Sequence, residues 1–150
     1  NREQLHYVIC GEGPDMPFLQ KLTRQLHLEE RVHLLGYRTD IPDMLGAADI
    51  FCMPSRREGC GMAALEAMAA GLPLITVRSH GTKTYAEKGE SGFCLKGDLV
   101  TSCADAIEQL ADNKLLRRQM GARNRAAATA FSDADRMMLL RGYYQKALGD

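Results

Sequence analysis

Two carboxylates eight positions apart, Glu58 and Glu66, stand in the stretch Pro54-Ser55-Arg56-Arg57-Glu58-Gly59-Cys60-Gly61-Met62-Ala63-Ala64-Leu65-Glu66-Ala67-Met68-Ala69-Ala70-Gly71-Leu72-Pro73. A carboxylate fixed on a helix suits a vicinal diol, because two neighbouring ribose hydroxyls can each donate to one of its oxygens. The run from Met62 to Ala70 is apolar on nearly every side and reads as a buried helix, in which an unbonded Glu66 would be costly. Two readings stay open at this point. Glu66 is a ribose ligand, or it occupies the single solvent-facing stripe of its helix. Glu58 divides in the same way: a loop glutamate is ordinarily just solvated, and only its place at the end of a strand, ahead of Glu66, marks it as a site candidate.

The elements that must hold these residues follow from their neighbours. Asp49 to Met53 is an apolar run of strand length, closed by Pro54, which cannot donate to a ladder. Glycines 59 and 61 allow close backbone approach, and Gly71 followed by Pro73 ends the helix, giving strand, glycine-rich turn and helix. Upstream, Leu5 to Cys10 reads as a strand running into Gly11-Glu12-Gly13-Pro14. Asp15 is the predicted helix cap, Pro17 suits the first turn, and Phe18, Leu19, Leu22 and Leu26 form a predicted buried face. Gly11 and Gly13 admit phosphate only as a weak signal, without a Walker or dinucleotide fingerprint. Val32 to Gly36 is a second predicted buried strand, followed by Tyr37-Arg38-Thr39-Asp40 and a short helix from Ile41 or Pro42 to Ala47.

Past the central stretch, Leu74 to Val77 is a fourth strand with the turn Ser79-His80-Gly81-Thr82 at its end, and Glu90 to Leu95 reads as an edge strand. From Leu99 the chain is helical, with Ala104, Ile107, Leu110, Leu115, Leu116 and Met120 at core spacing. A last helix starts at Ser132 or Asp133 and carries Met137, Met138, Leu140, Tyr143 and Tyr144 on more than one face. The alternation predicts an α/β, Rossmann-like parallel sheet with helices on both faces.

With 150 residues, 45% of them hydrophobic and 25% charged, the chain is expected to form one soluble domain, 1–150. A formal net charge of zero gives no steering toward nucleic acid or an anionic membrane, and Arg117, Arg118, Arg123 and Arg125 read as a solvated helical face. No apolar run reaches membrane-spanning length and no signal peptide opens the chain. The cysteines at 10, 52, 60, 94 and 103 are odd in number and lack C-x-x-C spacing, which argues against a disulfide framework or zinc site and for a reducing cytoplasm. His6, His27, His33 and His80 show no metal-ligand spacing and read as core or surface residues. Neither a metal nor a bound cofactor is expected.

From Glu58-Gly59-Cys60-Gly61 through Glu66-Ala67-Met68-Ala69-Ala70-Gly71-Leu72-Pro73 the chain resembles the E-x(7)-E signature of the retaining glycosyltransferases of the GT-B fold, the family 4 group. The likeness takes in the preceding Pro-Ser, the E-G-x-G loop and the E-A-M-A-x-G-x-P tail, and flanking strands and glycines extend it over essentially the whole chain. Cys60 stands where the family commonly has an aromatic residue. The resemblance implies the donor-binding, C-terminal half of a GT-B enzyme that moves a sugar from a nucleotide-diphosphate sugar to an acceptor such as a growing polysaccharide or lipid-linked glycan.

It implies a catalytic Glu58 that orients the sugar rather than attacking it. Glu58, Gly59, Cys60, Gly61, Met62 and Ala63 would position sugar hydroxyls and phosphate, with Glu66 on the ribose and Gly11 in the turn beside the nucleotide. The backbone at Arg38 would meet the base and Asp40 its edge, although both also read as surface loop charges. Gly81 is placed near the phosphates, where His80 and Lys83 are further candidates, and Gly92 takes a tight approach. The amino end of the Met62 helix would favour the departing phosphate's charge.

In the family, a strand carrying an Arg and a Lys that hold the diphosphate precedes this region, as does the acceptor domain. The five strands are therefore expected to lack a first, central neighbour. The 150 residues alone are expected to show no turnover and to self-associate, with acceptor binding and any contact with the inner face of the membrane left to the missing domain. A sugar-nucleotide epimerase on the same architecture and a non-catalytic nucleotide-binding module remain as alternatives.

Overall fold

The computed structural model describes residues 4–59, 61–77 and 91–131. Two compact units divide the chain, Asn1–Ile41 and Pro42–Asp150. In the first, β1 (Tyr7–Cys10) runs parallel to β2 (Val32–Gly36), joined through α1 (Met16–Gln25). The pairing opens with Tyr7 opposite Val32 and skips a residue at its end, where Cys10 faces Gly36 after Ile9 has faced Leu34. The chain reaches the second unit through α2 (Ile41–Ala47).

The second unit holds a parallel sheet in the order β3 (Phe51–Met53), β4 (Leu74–Val77), β5 (Gly92–Leu95). Among its described residues it also carries α3 (Met62–Ala70), α4 (Leu99–Asp112) and α5 (Lys114–Ala128), followed by a 3-10 turn, Thr129–Phe131. Strand periodicity sorts its core. Leu74 joins Ala64, Leu65, Ala67, Met68 and Leu72 on the α3 face, while Ile75 and Leu95 join Ala106, Leu110 and Met120 on the α4 and α5 face. Helices on both faces of a parallel sheet are thus observed here, and β5 is an edge strand of this sheet. Among the described residues, β1 with β2 and β3 with β4 and β5 are the strand pairings observed.

Several expectations give way. The α1 face is not buried: Phe18 is 62% exposed and Leu26 56%, with Leu19 and Leu22 half-buried. One helix against two strands leaves little surface to cover it. β2 is likewise only half-buried, with Leu35 exposed. Asp15 stands at the α1 cap position, but its backbone is helical and its side chain accepts no bond from the helix. In α4 it is Ala106, not Ala104, that is buried, because 106 shares a stripe with Leu110. Leu115, in the first turn of α5, is 66% exposed.

The arginine face also divides. Arg118, Arg123 and Arg125 are exposed, but half-buried Arg117 donates to the Leu110 and Ala111 carbonyls at 2.6 and 2.9 Å, closing the carboxyl end of α4. Arg125 donates at 2.8 Å to the Ala70 carbonyl, at the end of α3. Both cations sit where a helix presents unpaired carbonyls and negative charge. Between them, fully buried Asn124 donates through Nδ2 to the Leu72 carbonyl at 2.6 Å and the Ser91 carbonyl at 2.8 Å. Gly121 lies so close that a Cβ there would fall 2.0 Å from the Gly71 carbonyl oxygen.

Candidate functional site

The carboxylate-bearing loop leaves β3 at Pro54 and enters α3 at Gly61, as the residue types require. Gly61 adopts φ 66° and ψ 52°, a left-handed conformation that a side chain would strain, and it caps α3 without a side-chain hydrogen bond. The first-turn amides of α3 therefore have no side-chain acceptor among the described residues, the arrangement that lets a helix end receive an anion.

One turn further on, Glu66 occupies an exposed stripe with Met62, Ala63 and Ala69, while Ala64, Leu65, Ala67 and Met68 face the core. The helix is not buried all round, so burial does not demand a ligand for exposed Glu66. The stripe admits either reading of its role. Glu58 is half-buried in the loop, Gly59 is exposed and Gly61 is buried. Cys60, together with His80, Gly81, Lys83 and the helix expected from Ser132, lies outside the described residues.

A cavity of about 660 Å³ opens at the carboxyl ends of β4 and β5, walled by Val77, Leu95 and Leu99 and by the charged Arg56, Lys96 and Asp98. Arg56 comes from the carboxylate loop, but Glu58, Gly59, Gly61, Met62, Ala63 and Glu66 do not line the cavity. Lys96 and Asp98 were not singled out by the sequence; a polar K-G-D turn at the end of a predicted strand was the available signal. Asp98 caps α4 by accepting from the Val100 amide at 3.1 Å and the Thr101 hydroxyl at 2.6 Å. Those bonds, Thr101's foremost, hold its carboxyl below the usual range.

Three further candidates, Gly11, Arg38 and Asp40, belong to the first unit. Gly11 follows β1 with φ 134°, and its amide donates to the Gly36 carbonyl at 2.7 Å, joining the two strand ends. In the loop after β2, Arg38 grips Asp40 with both arms of its guanidinium, Nε reaching Oδ1 at 2.8 Å. The hydrogen bond from Arg38 holds the Asp40 carboxyl below its ordinary value, and the same bond raises Arg38. Asp40 is thus already engaged, leaving only its other lone pairs for a base edge.

Gly92 makes its tight approach to protein: at φ 150°, a Cβ there would fall 1.8 Å from the Leu74 carbonyl oxygen. Cys52 and Cys103 bring their sulfurs to 3.8 Å, and burial pushes the Cys52 thiol up to about 12, leaving it protonated and a poor nucleophile at neutral pH. Cys10, Cys52, Cys94 and Cys103 are free thiols. Among the described residues no three His, Cys, Asp or Glu side chains converge as a metal cluster, and no helix is long and apolar enough to cross a membrane.

The sequence-family model described as glycosyl transferases group 1 matches residues 1–127. The chain is 35% identical over 119 residues to the N-acetyl-alpha-D-glucosaminyl L-malate synthase of Bacillus anthracis, covering 79% of this chain and 31% of that protein. It is also 35% identical over 111 residues to the UDP-Gal:alpha-D-GlcNAc-diphosphoundecaprenol alpha-1,3-galactosyltransferase of Escherichia coli, covering 73% and 29%. It therefore spans about a third or less of these relatives. In fold it resembles Anabaena Alr3699/HepE in complex with UDP, with a TM-score of 0.85 at 22% identity, covering 97% of this chain and 42% of that one. The pneumococcal O-GlcNAc transferase GtfA in complex with UDP and GlcNAc matches with a TM-score of 0.86 at 23% identity, covering 97% and 30%.

Proposed function

Because this chain belongs to the glycosyl transferases group 1 family, we propose that it is the donor-binding part of a retaining glycosyltransferase that transfers a sugar from a nucleoside-diphosphate sugar. The observation that carries the reading is the start of α3, where an amino end without a side-chain cap stands one helical turn before an exposed Glu66. A diphosphate at the helix end neutralises its charge against the free amides, and the ribose diol donates to Glu66. Glu58, Gly59, Gly61, Met62 and Ala63 then face the sugar. Glu58 orients hydroxyls and does not attack.

Transfer needs both substrates in reacting geometry, and the acceptor, a growing polysaccharide or lipid-linked glycan, is held by a part of the enzyme outside residues 1–150. Charge relief for the leaving diphosphate comes from helix amides and basic side chains, without a metal. The cavity beside Arg56 and Lys96 supports this, since ligands of parallel α/β sheets gather at the carboxyl ends of strands. UDP, the nucleotide in complexes of Alr3699/HepE and GtfA, is the natural probe.

The test is calorimetric titration with UDP. Glu66→Ala is expected to lower affinity by about 1.5–3 kcal/mol through two lost charge-assisted bonds, and Glu58→Gln to leave it unchanged. In the two-domain enzyme Glu58→Gln lowers kcat instead. UDP affinity unaltered in Glu66→Ala removes that residue from the site.

A further inference from the structure

Histidines 6 and 33 are 27 residues apart in sequence, a separation from which no ligand pattern could be read. The structure brings His6 Nδ1 and His33 Nε2 to 3.0 Å. Their rings are nearly parallel, inclined by 14° with centroids 5.3 Å apart, so the two imidazoles each turn a nitrogen toward the other.

Backbone register sets this meeting. Val8 pairs with His33 across the parallel ladder, and the Tyr7 amide donates to the Arg31 carbonyl at 2.7 Å, extending the pairing toward His6. Because side chains alternate along a strand, position 6 lies on the face of position 8 and hence of His33. His6 is exposed and His33 half-buried, which leaves one side of the pair open to water.

We propose that His6 and His33 form a two-imidazole site for one late first-row divalent ion, of which Cu(II) binds most tightly and Zn(II) is the physiologically common case. The separation fits the chemistry once the rings turn. With metal–nitrogen bonds of about 2.0–2.1 Å, two cis ligands sit about 2.8–3.4 Å apart between square-planar and tetrahedral angles, which brackets the observed contact. The nearly parallel rings meet nitrogen to nitrogen, head-on, so each imidazole swings by roughly 35–45° to aim its lone pair at a shared ion. Neutral imidazole suits both ions, and the Irving–Williams order places Cu(II) above Zn(II).

On binding, the N–H···N bond between the rings is replaced by two N–metal bonds. The imidazole that donated changes tautomer, so its proton moves to the outer ring nitrogen and no net proton is released from a neutral pair. Water completes the shell on the exposed side. The ion then clips β1 to β2 in a unit where no described residue is buried, and stabilises that pairing by mass action.

The experiment titrates the chain with Cu(II), and separately with Zn(II), by calorimetry, and follows imidazole proton resonances as substoichiometric Cu(II) broadens them. One ion per chain is expected, tighter for Cu(II), with His6 and His33 broadened before His27. His6→Ala and His33→Ala are each expected to weaken binding by about 100-fold, the low end of what linking two ligands confers, and His27→Ala to leave it unaltered. His6 is exposed ahead of β1, so its variant tests the site without endangering the fold. Wild-type protein that binds neither ion at 1:1 stoichiometry, binding that survives His6→Ala, or earlier broadening of His27 would each overturn the proposal.

Discussion

The two units share one grammar, a strand followed by a glycine turn and a helix, and differ in what that grammar encloses. In residues 4–41 every described side chain is exposed or half-buried, whereas in the second unit Met68, Leu74, Ile75 and Leu110 are completely removed from water. Among the described residues, the second unit has helices on both faces of three strands, and the first has one helix and two strands. A periodic apolar stripe becomes core only when a second layer covers it. The second unit is also pinned at its turns, by Asn124 on the Leu72 and Ser91 carbonyls and by Arg125 on α3, whereas the first unit's Arg38–Asp40 pair ties one loop to itself.

The most damaging single methyl group should be Gly92→Ala, which drives a Cβ into the Leu74 backbone and forces β5 away from β4. A loss of about 3–5 kcal/mol is expected in urea denaturation of the second unit. A midpoint close to wild type would mean that the sheet yields where the structure shows no room. Next comes Asn124→Ala, which takes a donor from two carbonyls and opens a void. We expect about 2–3 kcal/mol by the same measurement. An effect no larger than at an exposed site would show that the pin is dispensable.

A smaller effect depends on pH. Since the folded Asp98 carboxyl titrates below its unfolded value, its contribution is complete above the unfolded Asp pKa of about 3.9 and is lost as pH falls through the lower folded value. Asp98→Asn should flatten the acid limb of the second unit's stability profile, and Asp40→Asn, whose sign is the same, should not. Equal flattening by both would show that the two units unfold together. Least of all should Phe18→Ser matter: at an exposed position it is expected to change stability by under about 0.5 kcal/mol. A larger loss, read from thermal unfolding, would place Phe18 in a buried contact and erase the contrast.

What the sequence revealed follows the same division. The strands and the helix Met62–Ala70 were legible because apolar runs, proline and glycine act locally. Periodicity tells which residues of α1 share a face but not whether anything covers it, so the exposure of Phe18 and Leu26 is not legible in it. The sequence places Glu66 on its helix and offers a solvent-facing stripe as one reading, but the alanines around it read equally as core or surface and leave the width of that stripe open. Asn124 was invisible in a polar helix because its acceptors, Leu72 and Ser91, are distant in sequence. Residue type alone does not tell the two caps apart: Asp98 accepts from its helix, while Asp15, the same residue before α1, accepts nothing.

The close passage of α5 over the turn after α3 also bears on genetics. A side chain at position 121 would meet the Gly71 carbonyl oxygen, while one at position 71 would meet the end of the Arg125 side chain. The second collision can be relieved in space by shortening residue 125, although the left-handed backbone at Gly71 would still resist a side chain. The first has no side chain to shorten. Suppressors of a substitution at Gly121 are therefore not to be found among compensating side-chain changes at the contact, and position 121 admits one residue for as long as the two backbones keep this distance.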